Sequence, residues 1–216
     1  MKPKYNAKNF SVKRLLREFE EVNLSEDIIV NLVDDNIFDW HFTFEGLDDT
    51  AFQEGIYHGR IIFPSNYPLS PPDIIFFNKN GKFEVNTKIC LSNTGYHPES
   101  WRPSWNARTT LIGLRSMFDI DISGSLGSMK CSDDVRKQMA KDSNAFECNK
   151  CGPIRKLWIE RKTRKNEEQK EITNENIPDP NININDAEIV ESNPKTKQIF
   201  VLAFLCIVFI TAVIYY

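Results

Sequence analysis

A chain of 216 residues, 41% of them hydrophobic, holds enough material for one domain of ordinary size with something left over. With 27 Lys+Arg against 30 Asp+Glu the net charge is −3, which lacks the basic excess of a phosphate-binding surface and argues against nucleic acid as the main partner. The five scattered cysteines (Cys90, Cys131, Cys148, Cys151 and Cys206) are an odd set and read as free thiols of a reducing compartment, and Met1-Lys-Pro-Lys-Tyr5 has no apolar run of the kind a cleavable signal needs.

In chain order, Val12, Leu15, Leu16, Phe19 and Val22 recur at helical spacing with charged residues between them, which predicts an amphipathic N-terminal helix. Four strand-like runs follow. Ile28–Val33 is β-rich, Trp40–Phe44 alternates aromatic and polar residues, Ile56–Phe63 is a third, and Ile74–Phe77 is a short apolar fourth. Short loops around Asp34-Asp35-Asn36 and Asp48-Asp49 predict an antiparallel meander. Between the third and fourth runs, Pro64, Pro68, Pro71 and Pro72 fix φ and withhold ladder donors, so a rigid loop outside the sheet is expected there.

Thr109–Phe118 predicts a helix with Leu111, Leu114 and Phe118 on one side, and Asp121–Ser128 a loop rich in Gly and Ser. Ser132-Asp133-Asp134-Val135 reads as an N-cap with an acidic first turn, opening a helix that runs to about Phe146. A last helical segment starts near Pro153 with Leu157, Trp158 and Ile159. Residues 161–198 are polar and carry Pro178, Pro180 and Pro194, a composition that cannot bury a core. A flexible linker of that length has an r.m.s. reach of roughly 30–40 Å. Ile199 to Tyr216 is 18 residues without a charge. As a helix it spans about 27 Å, close to the hydrocarbon thickness of the endoplasmic reticulum membrane. Lys195 and Lys197 flank it and Tyr215-Tyr216 close it, as at a membrane interface. The expected organisation is a folded domain over 1–160, a linker over 161–198 and a transmembrane tail anchor over 199–216, with the domain on the cytosolic side.

Chemistry concentrates in Asn86–Trp105. Cys90 lies between Ile89 and Leu91, followed by a polar loop and a Trp101-x-Pro103-x-Trp105 cluster that prolines and indoles make stiff. Residue types alone leave Cys90 open between a presented thiol and small core filler. A Cys-His-Asn protease fits the types but not the spacing, because His41, His58 and His97 sit in no protease signature. Cys148-Asn149-Lys150-Cys151 is a lone C-x-x-C. A structural zinc site needs four ligands and the sequence offers no second pair, so this motif reads as incidental and no metal is expected.

The order of features resembles the ubiquitin-conjugating enzymes over residues from about 10 to 160, and most closely their tail-anchored endoplasmic reticulum branch. The residues that carry the likeness are Phe63-Pro64-x-x-Tyr67-Pro68-x-x-Pro71-Pro72, Asn80-Gly81-Lys82-Phe83, Asn86-Thr87-Lys88-Ile89-Cys90-Leu91-Ser92, His97-Pro98-Glu99-Ser100-Trp101-Arg102-Pro103-Ser104-Trp105 and Leu126-Gly127-Ser128. The resemblance implies an α+β fold: N-terminal helix, four-stranded antiparallel meander and C-terminal helices, followed here by one transmembrane helix. It implies that Cys90 takes ubiquitin from the activating enzyme as a thioester and passes it to Lys, or to Ser/Thr, of substrates in endoplasmic-reticulum-associated degradation. No cofactor is implied, since ATP is used by the upstream activating enzyme. The implied partners are ubiquitin, the activating enzyme, a membrane-bound ligase and the lipid bilayer. Arg14, Leu69, Pro103 and Ser104 match ligase-docking positions.

The chain departs from the wider family in two places. The His-Pro-Asn tripeptide ahead of the cysteine is missing, so Asn80 is the candidate for oxyanion or loop support, with His97 as a candidate aid to deprotonation. The acidic residue that gates the acceptor falls near Ser125. The alternative these departures keep open is an inactive scaffold of the same fold that binds ubiquitin or a ligase.

Overall fold

The computed structural model describes residues 6, 8–120 and 125–175. The chain divides into two units, Met1–Ile172 and Thr173–Tyr216, and the architecture below is that of the first together with residues 173–175. Helix α1 (Phe10–Asn23) starts where the Asn9 side chain accepts the N–H groups of Ser11 and Val12, at 2.8 and 3.3 Å. Those donors have no partner inside the first turn, which is why Asn is favoured at this position. The predicted apolar stripe is the buried one: Val12, Leu15 and Val22 face the core, with Phe19 packed beside them.

Strands β1 (Ile28–Val33), β2 (Asn36–Glu45), β3 (Ile56–Ile62) and β4 (Asp73–Phe76) pair antiparallel in chain order, as the meander reading expects. The first hairpin turns through Asp34 and Asp35, both at positive φ (51° and 58°). That backbone matches the strand twist, and Asp is among the side chains that tolerate it. Period-2 alternation on β2 splits the protein into layers. Trp40, Phe42 and Phe44 point into the main core, where Phe76, Phe83, Phe118, Leu111 and Leu114 meet them. His41 and Thr43 point to the other face, together with His58 of β3.

Helix α2 (Ala107–Ser116) is opened by a capping box between Asn106 and Thr109 and ends in a 3₁₀ turn, Met117–Asp119, that buries Phe118. Helix α3 (Asp133–Ser143) carries the predicted Ser132 cap, but it stops short of Phe146 because the chain turns there into a hairpin, β5 (Glu147–Cys148) and β6 (Gly152–Pro153). Helix α4 (Ile154–Glu175) covers the outer face of the sheet, where Ile154 and Trp158 pack on Ile29 and Ile56. It runs past residue 160 into the stretch read as linker. Lys and Glu side chains propagate a helix as readily as they fill a linker, and Lys156–Glu160 is one such i,i+4 pair. No helix among the described residues is long and apolar enough to cross a membrane. The expected tail anchor, 199–216, and residues 176–198 of the expected linker lie outside the described residues.

The C-x-x-C reading changes. Cys148 and Cys151 do acquire a second pair of donors, His41 and His58, which come from the outer face of β2 and β3 rather than from a neighbouring motif.

Candidate active site

Cys90 sits on irregular chain after β4. Its neighbours Ile89 and Leu91 are buried, which draws the backbone to the core and leaves the thiol half-buried at the surface. The Ile89 N–H donates to the Ile74 carbonyl at 3.0 Å, and the Cys90 N–H to the Leu126 carbonyl at 3.1 Å. One residue is thus fixed to the sheet and the next to the Ser/Gly loop. Fully buried Thr94 closes the following turn: its Oγ1 accepts the Leu91 N–H at 3.0 Å and lies 2.9 and 3.1 Å from the carbonyls of Leu91 and Ile89. The His97 N–H then donates to the Thr94 carbonyl at 3.0 Å, and the turn delivers the imidazole to the thiol.

Cys90 Sγ lies 3.0 Å from His97 Nε2, and His97 Nδ1 lies 2.9 Å from Glu99 Oε1. A carboxylate only accepts, so Nδ1 carries a proton, and in the neutral ring Nε2 then presents its lone pair to the sulfur. Hydrogen bonding to His97 holds the Glu99 carboxyl below its usual range. Thiol, imidazole and carboxylate line up in hydrogen-bonding order, an arrangement of the kind that can activate a nucleophile. Sequence placed His97 near Cys90 by spacing; the structure brings the two into contact. Glu99 and Thr94 were missed. Glu99 had a usable signal, as a carboxylate two residues beyond the histidine on a loop stiffened by Pro98.

Asn80 is 1% exposed. Its Oδ1 accepts from the N–H groups of Lys82 and Phe83 at 2.9 and 2.7 Å, and its Nδ2 donates to the Asn78 carbonyl at 3.2 Å. These bonds all go to the backbone of its own turn. Of its two candidate roles, loop support is the one this geometry carries. Ser125 is half-buried and precedes Leu126, whose carbonyl holds the Cys90 N–H, so it belongs to the loop bordering the thiol. The Ser125 carbonyl accepts from Ser128 N–H at 3.0 Å across Gly127, which stands at φ +78°, a conformation that side chains disfavour. Residues 121–124 lie outside the described residues.

The four residues matched to ligase docking converge on one end of the domain. Leu69 is 72% exposed at the tip of the proline-rich loop, and Pro103 and Ser104 are exposed on the tryptophan loop. The two loops are locked together, because Trp101 Nε1 donates to the Pro68 carbonyl at 2.7 Å. Arg14 of α1 reaches across to the carbonyls of Pro103 and Trp105, at 3.4 and 3.1 Å. Behind them the buried Glu18 carboxylate accepts from Tyr67 Oη and from the Ala107 N–H, each at 2.7 Å, and pairs with Arg14. One buried acid therefore sets the relative positions of α1, the proline-rich loop and α2, leaving an apolar tip on a rigid base. Burial, with the Glu18 carboxylate next, pushes the Tyr67 phenol up, so it stays a donor.

Residues 14–149 match the sequence model of the ubiquitin-conjugating enzyme family. Ubiquitin-conjugating enzyme E2 J1 of mouse and of human are each 43% identical over 157 residues, covering 72% of this chain and 49% of theirs. Ubiquitin-conjugating enzyme E2 32 of Arabidopsis thaliana is 46% identical over 139 residues, covering 63% of this chain and 45% of its own. The chain therefore matches about half the length of these relatives. Among solved structures, a ubiquitin conjugating protein from Plasmodium yoelii superposes with a TM-score of 0.52 over 62% of this chain and 94% of that one, at 20% identity, which bears on the fold alone. With the helix–meander–helix order and a cysteine presented after β4, these likenesses place the chain in the ubiquitin-conjugating enzyme family.

Proposed function

We propose that the chain is a working ubiquitin-conjugating enzyme that carries ubiquitin as a thioester on Cys90. The observation that supports this most is the Cys90–His97–Glu99 chain, a surface thiol 3.0 Å from an imidazole that a carboxylate orients. His97 Nε2 takes the thiol proton as Cys90 sulfur attacks the carbonyl that joins ubiquitin to the activating enzyme. A new carbon–sulfur bond forms, the old one breaks, and the activating enzyme's sulfur leaves with a proton. No cofactor enters this step; ATP is consumed upstream. In discharge an acceptor nitrogen or oxygen attacks the Cys90 thioester, an amide or ester bond forms as the carbon–sulfur bond breaks, and the acceptor's proton ends on the leaving Cys90 sulfur. Ser125 at the acceptor gate removes the acidic group that would condition a lysine, so Ser/Thr hydroxyls join Lys among the acceptors. A ligase docks on Leu69, Pro103, Ser104 and Arg14. The uncharged stretch 199–216 anchors the chain in the endoplasmic reticulum membrane, where a membrane-bound ligase and substrates of protein degradation meet it.

The test mixes the full chain with activating enzyme, ATP and ubiquitin and resolves the products without reductant. The expected product is a thiol-sensitive adduct, absent in Cys90→Ala and replaced in Cys90→Ser by a thiol-resistant oxyester. A chain that binds ubiquitin or a ligase but forms no adduct would be the inactive scaffold instead.

A further inference from the structure

On the outer face of the sheet, away from Cys90, four side chains with metal-binding chemistry converge. His41 and His58 are diagonal neighbours on β2 and β3, since His41 pairs with Arg60 and His58 with Thr43. The β5–β6 hairpin lays Cys148 and Cys151 over them. One nitrogen from each imidazole and both sulfurs lie within 4.8 Å of one another. His41 Nδ1 is 3.5 Å from Cys148 Sγ and 3.4 Å from Cys151 Sγ. A tetrahedral zinc site with ordinary bond lengths has sulfur–nitrogen edges of about 3.6 Å, so two of the edges are already in place.

Hydrogen bonding alone does not account for the cluster. Nδ1 of His41 has either one lone pair or one proton for two sulfurs, which also hydrogen-bond each other, so the unmet group is on His58. His58 is wholly buried. Its Nδ1 lies 2.8 Å from Thr43 Oγ1, while its Nε2 is buried without any hydrogen-bond partner. An orphaned buried imidazole nitrogen costs about 1–3 kcal/mol. A metal ion supplies the missing partner. The Thr43 bond is the kind that metal-ligating histidines make with their second nitrogen, fixing the tautomer and the ring. The hairpin is shaped for the purpose too. Gly152 follows Cys151 at φ +76° with open space where a Cβ would stand, so glycine is there for the turn, which sets the two thiols side by side.

We infer that His41, His58, Cys148 and Cys151 form a four-ligand structural zinc site that clips the β5–β6 hairpin and the start of α4 to the back of the sheet. Two thiols and two imidazoles select zinc, or cobalt in its place, over calcium or magnesium, which prefer oxygen ligands. Binding one Zn²⁺ releases two protons from the thiols, and two thiolates against a 2+ ion leave a site with no net charge, as burial favours. Four protein ligands leave no position for water or substrate, so the role is structural rather than catalytic.

The test uses the full chain, purified reduced and without chelator, and reads its zinc content by mass spectrometry of the element. The expected result is one zinc per chain, kept in Cys90→Ser and Cys131→Ser and lost in Cys148→Ser and His58→Gln. Because either ligand variant can lose metal by unfolding, a second reading is taken on the unmutated chain. Cobalt exchanged for zinc is expected to show the intense visible bands of a tetrahedral ion and a sulfur-to-cobalt charge-transfer band. Zinc removal by chelator is expected to lower the melting temperature. A reduced chain that takes up no zinc, a cobalt spectrum without the sulfur band, zinc that leaves with Cys90, or a Cys148–Cys151 disulfide persisting in reductant would each overturn the inference.

Discussion

Two cysteine–histidine groupings share this domain and differ in everything except residue type. Cys90 and His97 are seven residues apart on irregular chain, the thiol half-buried and the orienting Glu99 carboxylate in solvent. Cys148 and Cys151 meet His41 across 107 and 110 residues of sequence, under Phe146 and beside Phe77. The first grouping offers one ring nitrogen to one half-buried sulfur. The second offers two nitrogens to two sulfurs. Access and stoichiometry of donors, rather than the presence of Cys and His, separate a nucleophile from a clamp.

The largest effect that sharpens the contrast is on ubiquitin loading. Cys90→Ala is expected to abolish the thiol-sensitive adduct completely while changing stability by no more than about 0.5 kcal/mol, the usual range for a site near the surface. Cys148→Ser is expected to do the reverse, loading ubiquitin per folded molecule while melting earlier. Loading gels paired with denaturant melts read both, and a Cys148→Ser chain that is stable but unable to load would break the division.

Trp158→Ala comes next. Its ring is 3% exposed between α4 and the sheet, and its Nε1 lies 3.3 Å from Glu45 Oε2. Loss of a buried Trp side chain is expected to cost about 3–5 kcal/mol in a denaturant titration, with loading of the folded fraction unchanged. His97→Ala acts at the other grouping. Removing a general base typically slows its step by about 10²-fold or more. Single-turnover loading near neutral pH is expected to fall by that order and to recover as pH rises, because the thiolate then forms without help. Equal losses at every pH would make His97 a structural loop residue.

The sequence exposed the two groupings unequally, for a physical reason. Helical spacing located α1 and alternation located β2, because one-sided burial imprints its period on the chain, while β1, β3 and β4 showed as β-rich or apolar runs. Cys90 and His97 were legible together because they are local and sit in a long motif. The outer site was not. His41 alternates with Trp40 and Phe42 like any half-buried strand residue, and only pairing register brings it diagonal to His58 and beneath a hairpin more than a hundred residues on. A C-x-x-C near a domain end therefore looked incidental. The extension of α4 past residue 160 was hidden likewise, since Lys- and Glu-rich sequence suits a solvated helix and a linker equally.

The smallest expected effect falls on the turn that connects the two groupings. Asn78 Oδ1 accepts the His58 N–H at 2.9 Å, and two residues later Asn80 Oδ1 holds the N–H groups of Lys82 and Phe83. The turn follows β4, is hydrogen-bonded to the strand that carries His58, and leads towards the segment that presents Cys90. Asn80→Ala leaves two N–H groups without that acceptor and is expected to cost about 2 kcal/mol in a denaturant melt. If Asn80 only shapes the turn, thioester discharge per folded molecule stays near that of the unmutated chain, and Asn80→Asp, which keeps the acceptor and loses the donor, regains most of the stability. If its Nδ2 donates to the oxyanion, both variants discharge slowly even where Asp restores the fold, by about 10²-fold as when an oxyanion donor is removed. With Oδ1 and Nδ2 both bonded to the turn's backbone, the first outcome is expected.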